Sequence, residues 1–262
     1  MRIDFGRTAA DYARYRLGFP DRFFERLFAA GLLKSGSRVL DLGTGTGNVA
    51  RGFAKRGCIV TGLDKSSPLL EQAKSLDREA GVQIEYVLAS AEQTGLAPRT
   101  FDAVTAGQCW HWFDRPKAAA EARRLLAAGG SLILAHISRL PLRGGVVEAT
   151  EILIREHNPT WYEGVIMRRG VNRDVGVQLE WFGDLYDADF RDIESFTFDI
   201  FVPYSHEAWL GRIRASSGVA ASLSPDRVQR FNAALKQLLV TRFQTEPLRI
   251  PHRIFALIGK SS

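Results

Sequence analysis

From Ser37 to Ile137 the chain alternates short apolar, β-branched runs with longer helical patterns, and this alternation constrains its fold more than any other feature. Near-continuous apolar strands separated by helices are how a parallel sheet covered by helices on both faces reads. The pattern predicts strands over Arg38–Leu42, Cys58–Leu63, Ile84–Leu88, Phe101–Ala106 and Ser131–His136. It predicts helices over Asn48–Arg56, Pro68–Ala80 and Pro116–Leu126. The last of these is well punctuated: Asp114 can cap its first turn, Pro116 suits an early helical position, and Gly129-Gly130 precede the next strand.

Around this core the texture changes. Phe23, Phe24, Leu27 and Phe28 fall at helical spacing within Tyr12 to Ala30, which predicts a helix ahead of the first strand. After Ile137 the alternation breaks, with one helical pattern near Val146–Glu156 and then a segment rich in Gly, Trp and Arg. Ile193–Val202 and Arg253–Gly259 read as two more strands, with helices at His206–Ser216 and Pro225–Thr241 between them, and suit an antiparallel pair at a sheet edge. The expected organisation is therefore an N-terminal helical segment over 1–36, a core over 37–137, an inserted cap over 138–191, and closing strands and helices of the same domain over 192–262.

Composition removes several classes. With 262 residues, 45% hydrophobic and 24% charged, the chain can bury a sizeable α/β core, and disordered or fibrous classes drop out. No stretch approaches the roughly 20 apolar residues of a spanning helix, and Met1 to Gly6 has no signal-like run, so a cytoplasmic protein without membrane contact is expected. The two cysteines, Cys58 and Cys109, have no disulfide or zinc spacing, and no metal is expected. A net charge of +6 is scattered, without the basic run of a nucleic-acid arm, so a nucleic-acid partner is not expected.

The chemistry concentrates in Val39-Leu40-Asp41-Leu42-Gly43-Thr44-Gly45-Thr46-Gly47, three glycines between the first strand and the next helix. Open α/β sheets bind ligands at the carboxyl ends of their strands. Glycine lets the chain turn sharply there and brings a ligand close to the backbone. Asp64, at the end of the second strand, can accept both hydroxyls of a ribose. Gly45-Thr46-Gly47-Asn48-Val49-Ala50 also fits a dinucleotide pattern. Charge separates the two readings, because Asp41 repels a pyrophosphate and attracts the ammonium of a methionine moiety.

On these residues the chain resembles the class I S-adenosylmethionine-dependent methyltransferases, in particular the small-molecule group that includes trans-aconitate and ubiquinone-pathway enzymes. The resemblance implies a Rossmann-like, seven-stranded sheet, mostly parallel with an antiparallel closing strand, helices on both faces and an inserted cap. It implies cofactor contacts at Asp41, Gly43, Thr44, Gly45 and Gly47, at Asp64 with Lys65 and Ser66, and at Ser90, Ala91 and Glu92, where Ser90 stands in place of the more usual Asp. Phe101 to Gln108 resembles the family's fourth motif, which puts Gly107 and Gln108 near the transferring methyl group. Upstream, the Tyr12 to Arg16 segment resembles one that folds over the cofactor, with Tyr15 above it and Arg16 on its carboxylate.

Cys109-Trp110-His111-Trp112-Phe113 follows the fourth motif. Methyl transfer from a sulfonium is an in-line displacement, so alignment and exclusion of water matter most. His111 is suited to take a proton from an acceptor, and a packed structural neighbour is the competing reading. Trp110 and Trp112 suit either a dry pocket or the core. For the acceptor side the candidates are Trp110, Trp161, Arg168, Trp209 and Arg212, with Tyr162, Arg169 and Trp181 beside them. Arginines among them suit an acidic small molecule and tryptophans a hydrophobic one. The expected activity is methyl transfer to a small molecule with S-adenosylhomocysteine as product, in a monomer or homodimer. The alternatives are RNA or protein methylation, and a non-catalytic cofactor-binding protein on the same fold.

Overall fold

A computed structural model describes residues 18–160 and 176–261. Its elements run, in chain order, α1 (Asp21–Ala29), β1 (Arg38–Leu42), α2 (Asn48–Ala54), β2 (Ile59–Asp64), α3 (Ser67–Ala80), β3 (Glu85–Leu88), β4 (Phe101–Gly107), a short 3-10 turn at Trp110–Trp112, α4 (Arg115–Leu125) and β5 (Leu126–Arg139). They continue with α5 (Val146–His157), α6 (Glu180–Asp187), β6 (Arg191–Tyr204), α7 (His206–Arg214), α8 (Pro225–Arg242) and β7 (Leu248–Lys260). Seven strands form one sheet in the order β3-β2-β1-β4-β5-β7-β6.

The first five strands pair in parallel, with Leu40 beside Thr61 on one side and Val104 on the other. The closing strand reverses. Leu140 N–H donates to the Pro251 carbonyl while Ser261 N–H donates to the Gly130 carbonyl, so numbers rise along β5 as they fall along β7. The expected mostly parallel seven-stranded sheet with an antiparallel closing strand is therefore present. Strand order reverses between β1 and β4, and their carboxyl ends define the crevice where such sheets take ligands.

Strands β5, β6 and β7 each start earlier than expected, β7 at Leu248 rather than Arg253 and β6 at Arg191 rather than Ile193. β5 begins at Leu126 rather than Ser131, because Phe101 pairs with Leu126 and Ala103 with Ser131, a bulge that Gly129 absorbs with φ +73°. No helix among the described residues is long and apolar enough to cross a membrane.

The described residues gather into two compact units. One comprises 18–137, 177–198 and 254–261, and the other 138–160 with 176, and 199–253. Of the expected cap over 138–191, residues 177–191 fall in the first unit. Helix α6 packs in the first unit, where Trp181 and Leu185 are fully buried with Ala118, Ala119 and Ala122, whose short side chains let α6 approach α4. The closing helices α7 and α8 instead share a core with α5, built on Val147, Ile154, Trp209, Ile213, Phe231 and Leu235.

Candidate functional site

The glycine loop follows β1 directly. Gly43, Gly45 and Gly47 all take left-handed conformations, with φ of +59°, +57° and +76°. Side chains rarely adopt such values, which is the local reason for three glycines. Gly47 caps the N-terminus of α2. A Cβ at Gly43 would lie 2.9 Å from Phe113 and 3.0 Å from Cys109, whereas one at Gly45 would meet nothing within 4 Å.

Two carboxylates hold this loop. Asp64, at the end of β2, accepts from Gly45 N–H at 2.8 Å through one oxygen and from Ser66 N–H at 2.9 Å through the other. It thereby ties the loop to the start of α3. Asp41 is 2% exposed and accepts hydroxyl bonds from Thr44 and Thr105, each at 2.7 Å. Burial pushes its carboxyl up to about 6, opposed by the hydroxyls of Thr44 and Thr105, which favour the charged form. Thr105 was not among the sequence candidates. Its signal was a lone hydroxyl inside the apolar run of β4, at the register position paired with Asp41.

A third support is also new. Arg51 donates through Nη2 to the Thr46 carbonyl at 2.5 Å and through Nη1 to Asp77 at 2.7 Å, so α2 and α3 clamp the loop between them. Both side chains are nearly buried, at 13% and 6% exposed. Burial and the Asp77 carboxylate push the neighbouring Tyr86 hydroxyl well above its ordinary pKa.

Three of the loop amides are already engaged. Thr44 N–H donates to Leu63, Gly45 N–H to Asp64 and Gly47 N–H to the Thr44 carbonyl. A phosphate cradle needs such amides free to face an anion. This loop offers an acid-flanked shelf instead.

At the end of β4, Gly107 lets the strand approach α2, since a Cβ there would press on Val49 at 2.6 Å. Gln108 follows with φ +68°, donating its amide to Ala135 at 2.8 Å and its side-chain amide to Ile137 at 3.3 Å. His111 meets His136 edge-on at 5.6 Å and Trp112 at 4.8 Å, and Trp112 is 43% exposed. Lys65 is exposed beside Asp64. Ser90 forms a short bridge with Gln93, Ala91 is buried in the core, and Glu92 accepts from Asp114 N–H at 3.0 Å, which fixes the entry to α4.

Several acceptor candidates lie in the core. Trp110, Trp181 and Trp209 are fully buried. Trp110 donates its indole N–H to Asp184 at 2.9 Å and Trp209 donates to Thr150 at 3.2 Å. A tryptophan with its polar edge satisfied internally is an anchor of the core. Arg212 is half-buried on α7. Tyr15, Arg16, Trp161, Tyr162, Arg168 and Arg169 lie outside the described residues.

Comparison with known proteins gives a family for this site. Residues 40–134 match the family described as a methyltransferase domain. An uncharacterized methyltransferase of Mycobacterium tuberculosis is 35% identical over 159 residues, 61% of this chain and 62% of that protein. A ubiquinone biosynthesis O-methyltransferase of Saccharophagus degradans is 34% identical over 106 residues, 40% of this chain and 45% of that protein. The matches thus span less than two thirds of either relative's length. In fold, the chain resembles phosphoethanolamine N-methyltransferase 2 of Haemonchus contortus, solved with phosphomonomethylethanolamine and S-adenosylhomocysteine, with a TM-score of 0.56 and 17% identity over 97% of this chain and 56% of that one. By the matched domain, the sheet order and the loop that follows its first strand, the chain is similar to the class I S-adenosylmethionine-dependent methyltransferases.

Proposed function

We propose that this chain transfers a methyl group from S-adenosylmethionine to a small-molecule acceptor and releases S-adenosylhomocysteine. One observation carries the reading: Asp64 braces the glycine loop and the start of α3 at once. A carboxylate has about four acceptor positions. Two backbone N–H groups use half of them, and the rest suit the paired hydroxyls of a ribose.

The cofactor would lie along Gly43, Thr44, Gly45 and Gly47, where Gly45 opens onto free space. Its ammonium suits the charge of Asp41, and the engaged amides of the loop disfavour the pyrophosphate of a dinucleotide. Lys65, Ser66, Ser90, Ala91 and Glu92 are assigned to the adenosine side, and Tyr15 and Arg16, outside the described residues, to the methionine end. When bound, the sulfonium supplies a methyl group already activated for displacement. Gly107 and Gln108 hold the floor beneath the reacting centre, and His111 is assigned the proton lost by the acceptor.

Incubation of the full chain with methyl-labelled S-adenosylmethionine and a pool of small metabolites tests this. Label in a small organic product is expected, and label only in added tRNA or protein contradicts the proposal. Binding should also respond to pH. With the Asp41 carboxyl at about 6, S-adenosylhomocysteine should bind several-fold more weakly at pH 5 than at pH 7.5, because the acid is then protonated and no longer attracts the ammonium. Calorimetry at the two pH values reads the effect, and unchanged or tighter binding at pH 5 removes Asp41 from that role.

A further inference from the structure

The unit formed by 138–160 and 199–253 holds a group of polar side chains that methyl transfer, as assigned above, does not use. The bond from Leu140 N–H to Pro251 sets a register that puts Arg139 of β5 opposite His252 of β7, on the same face of the sheet. Tyr204 at the end of β6 stacks on His252 with ring centroids 6.2 Å apart. Trp209 of α7 packs on Tyr204 at 5.5 Å and under the Arg139 guanidinium at 5.8 Å. Arg212, one turn along α7, is near enough to hydrogen-bond the Tyr204 hydroxyl.

Arg139 and His252 each hold a buried polar atom that lacks a hydrogen bond among the described residues. Arg139 uses Nη2 on Glu151 at 3.2 Å, while its Nη1 is buried without a partner. His252, 2% exposed, holds Nδ1 3.0 Å from the Ile250 carbonyl, and its Nε2 is buried without a partner. A carbonyl only accepts, so Nδ1 carries the proton and Nε2 presents a lone pair. Burial and the two arginines push the imidazole down to about 4, which keeps it neutral at physiological pH. A buried donor or acceptor left unmet is costly, and here one stands on each of two facing residues of a strand pair, one of them a cation.

The two needs are complementary. Nη1 requires an acceptor, best an anionic oxygen, and Nε2 requires a donor that an anion alone does not supply. We propose that the face formed by Arg139, His252, Tyr204 and Arg212 binds a small hydroxycarboxylate, its carboxylate on Arg139 and its hydroxyl donating to Nε2 of His252. This site stands whether or not the chain transfers a methyl group.

The test uses the full chain and three probes, L-lactate, propionate and inorganic phosphate, titrated by calorimetry or ligand-observed NMR. Lactate should bind about tenfold more tightly than propionate, the value of one buried hydrogen bond. In His252→Phe, which keeps a ring against Tyr204, that preference should vanish while propionate binding persists. Arg139→Lys keeps the charge beside Glu151 and should weaken both acids by about tenfold through loss of the planar fork. No binding of either acid, phosphate binding more tightly than lactate, or an intact lactate preference in His252→Phe overturns the assignment. Each outcome is independent of whether S-adenosylhomocysteine binds.

Discussion

Asp64→Ala is expected to weaken S-adenosylhomocysteine binding by about a hundredfold, the loss of two hydrogen bonds to a charged group at roughly 1.5 kcal/mol each. Two effects act together. The ribose loses its acceptor, and Gly45 N–H and Ser66 N–H lose the carboxylate that joins the loop to α3. Asp64→Asn separates them. An asparagine still accepts through its carbonyl oxygen but holds only one of the two backbone N–H groups, so a loss nearer tenfold is expected. Calorimetric titration of both variants checks this. Alanine binding within threefold of the native chain would mean that Asp64 braces the loop without meeting the cofactor.

Gly47→Ala carries the largest expected loss of stability. Its φ of +76° alone costs a residue with a Cβ about 1–2 kcal/mol. The new methyl carbon would also lie 2.8 Å from Nη1 of Arg51 and against the Tyr86 hydroxyl. Neither neighbour can swing away cheaply, since Arg51 is fixed by Asp77 and Thr46 and moving it strips a partner from a nearly buried carboxylate. A total of about 3 kcal/mol lowers the melting temperature of a chain this size by about 6–12 °C. Gly45→Ala is the control: its φ of +57° is equally left-handed but its Cβ meets nothing within 4 Å, so only the conformational cost applies. Thermal melts of the two variants should therefore differ. Equal melting temperatures would show that the clamp of Arg51 and Asp77 does not press on the loop.

Local features carried well from sequence to structure. β1 has its expected bounds, Arg38–Leu42, because a β-branched apolar run ends abruptly at a glycine. α3 ends at Ala80 as expected, because Gly81 closes it at φ +66°. Helix α6 was missed, since only Trp181 and Leu185 of its residues are buried and so short a stripe has no clear period. Its burial on α4 places it with the first unit.

The site was legible to the extent that it is contiguous. The glycines and Asp64 announce themselves through strand ends, but Arg51 and Asp77 stand 26 residues apart and meet only when α2 and α3 pack. Trp110 and Trp209 carried no sign of which way they face, because an aromatic side chain suits a core and a pocket equally. The row of Arg139, Tyr204 and His252 depends on the register of three strands far apart in sequence.

Asp41 and the engaged amides of the loop after β1 favour S-adenosylmethionine over a dinucleotide. Calorimetric titration of the native chain with S-adenosylhomocysteine, repeated in the presence of excess NAD, tests this most directly. Saturable one-site binding that NAD leaves unchanged is the predicted result. A folded chain that releases no binding heat with S-adenosylhomocysteine, or one from which NAD displaces it, would contradict the account.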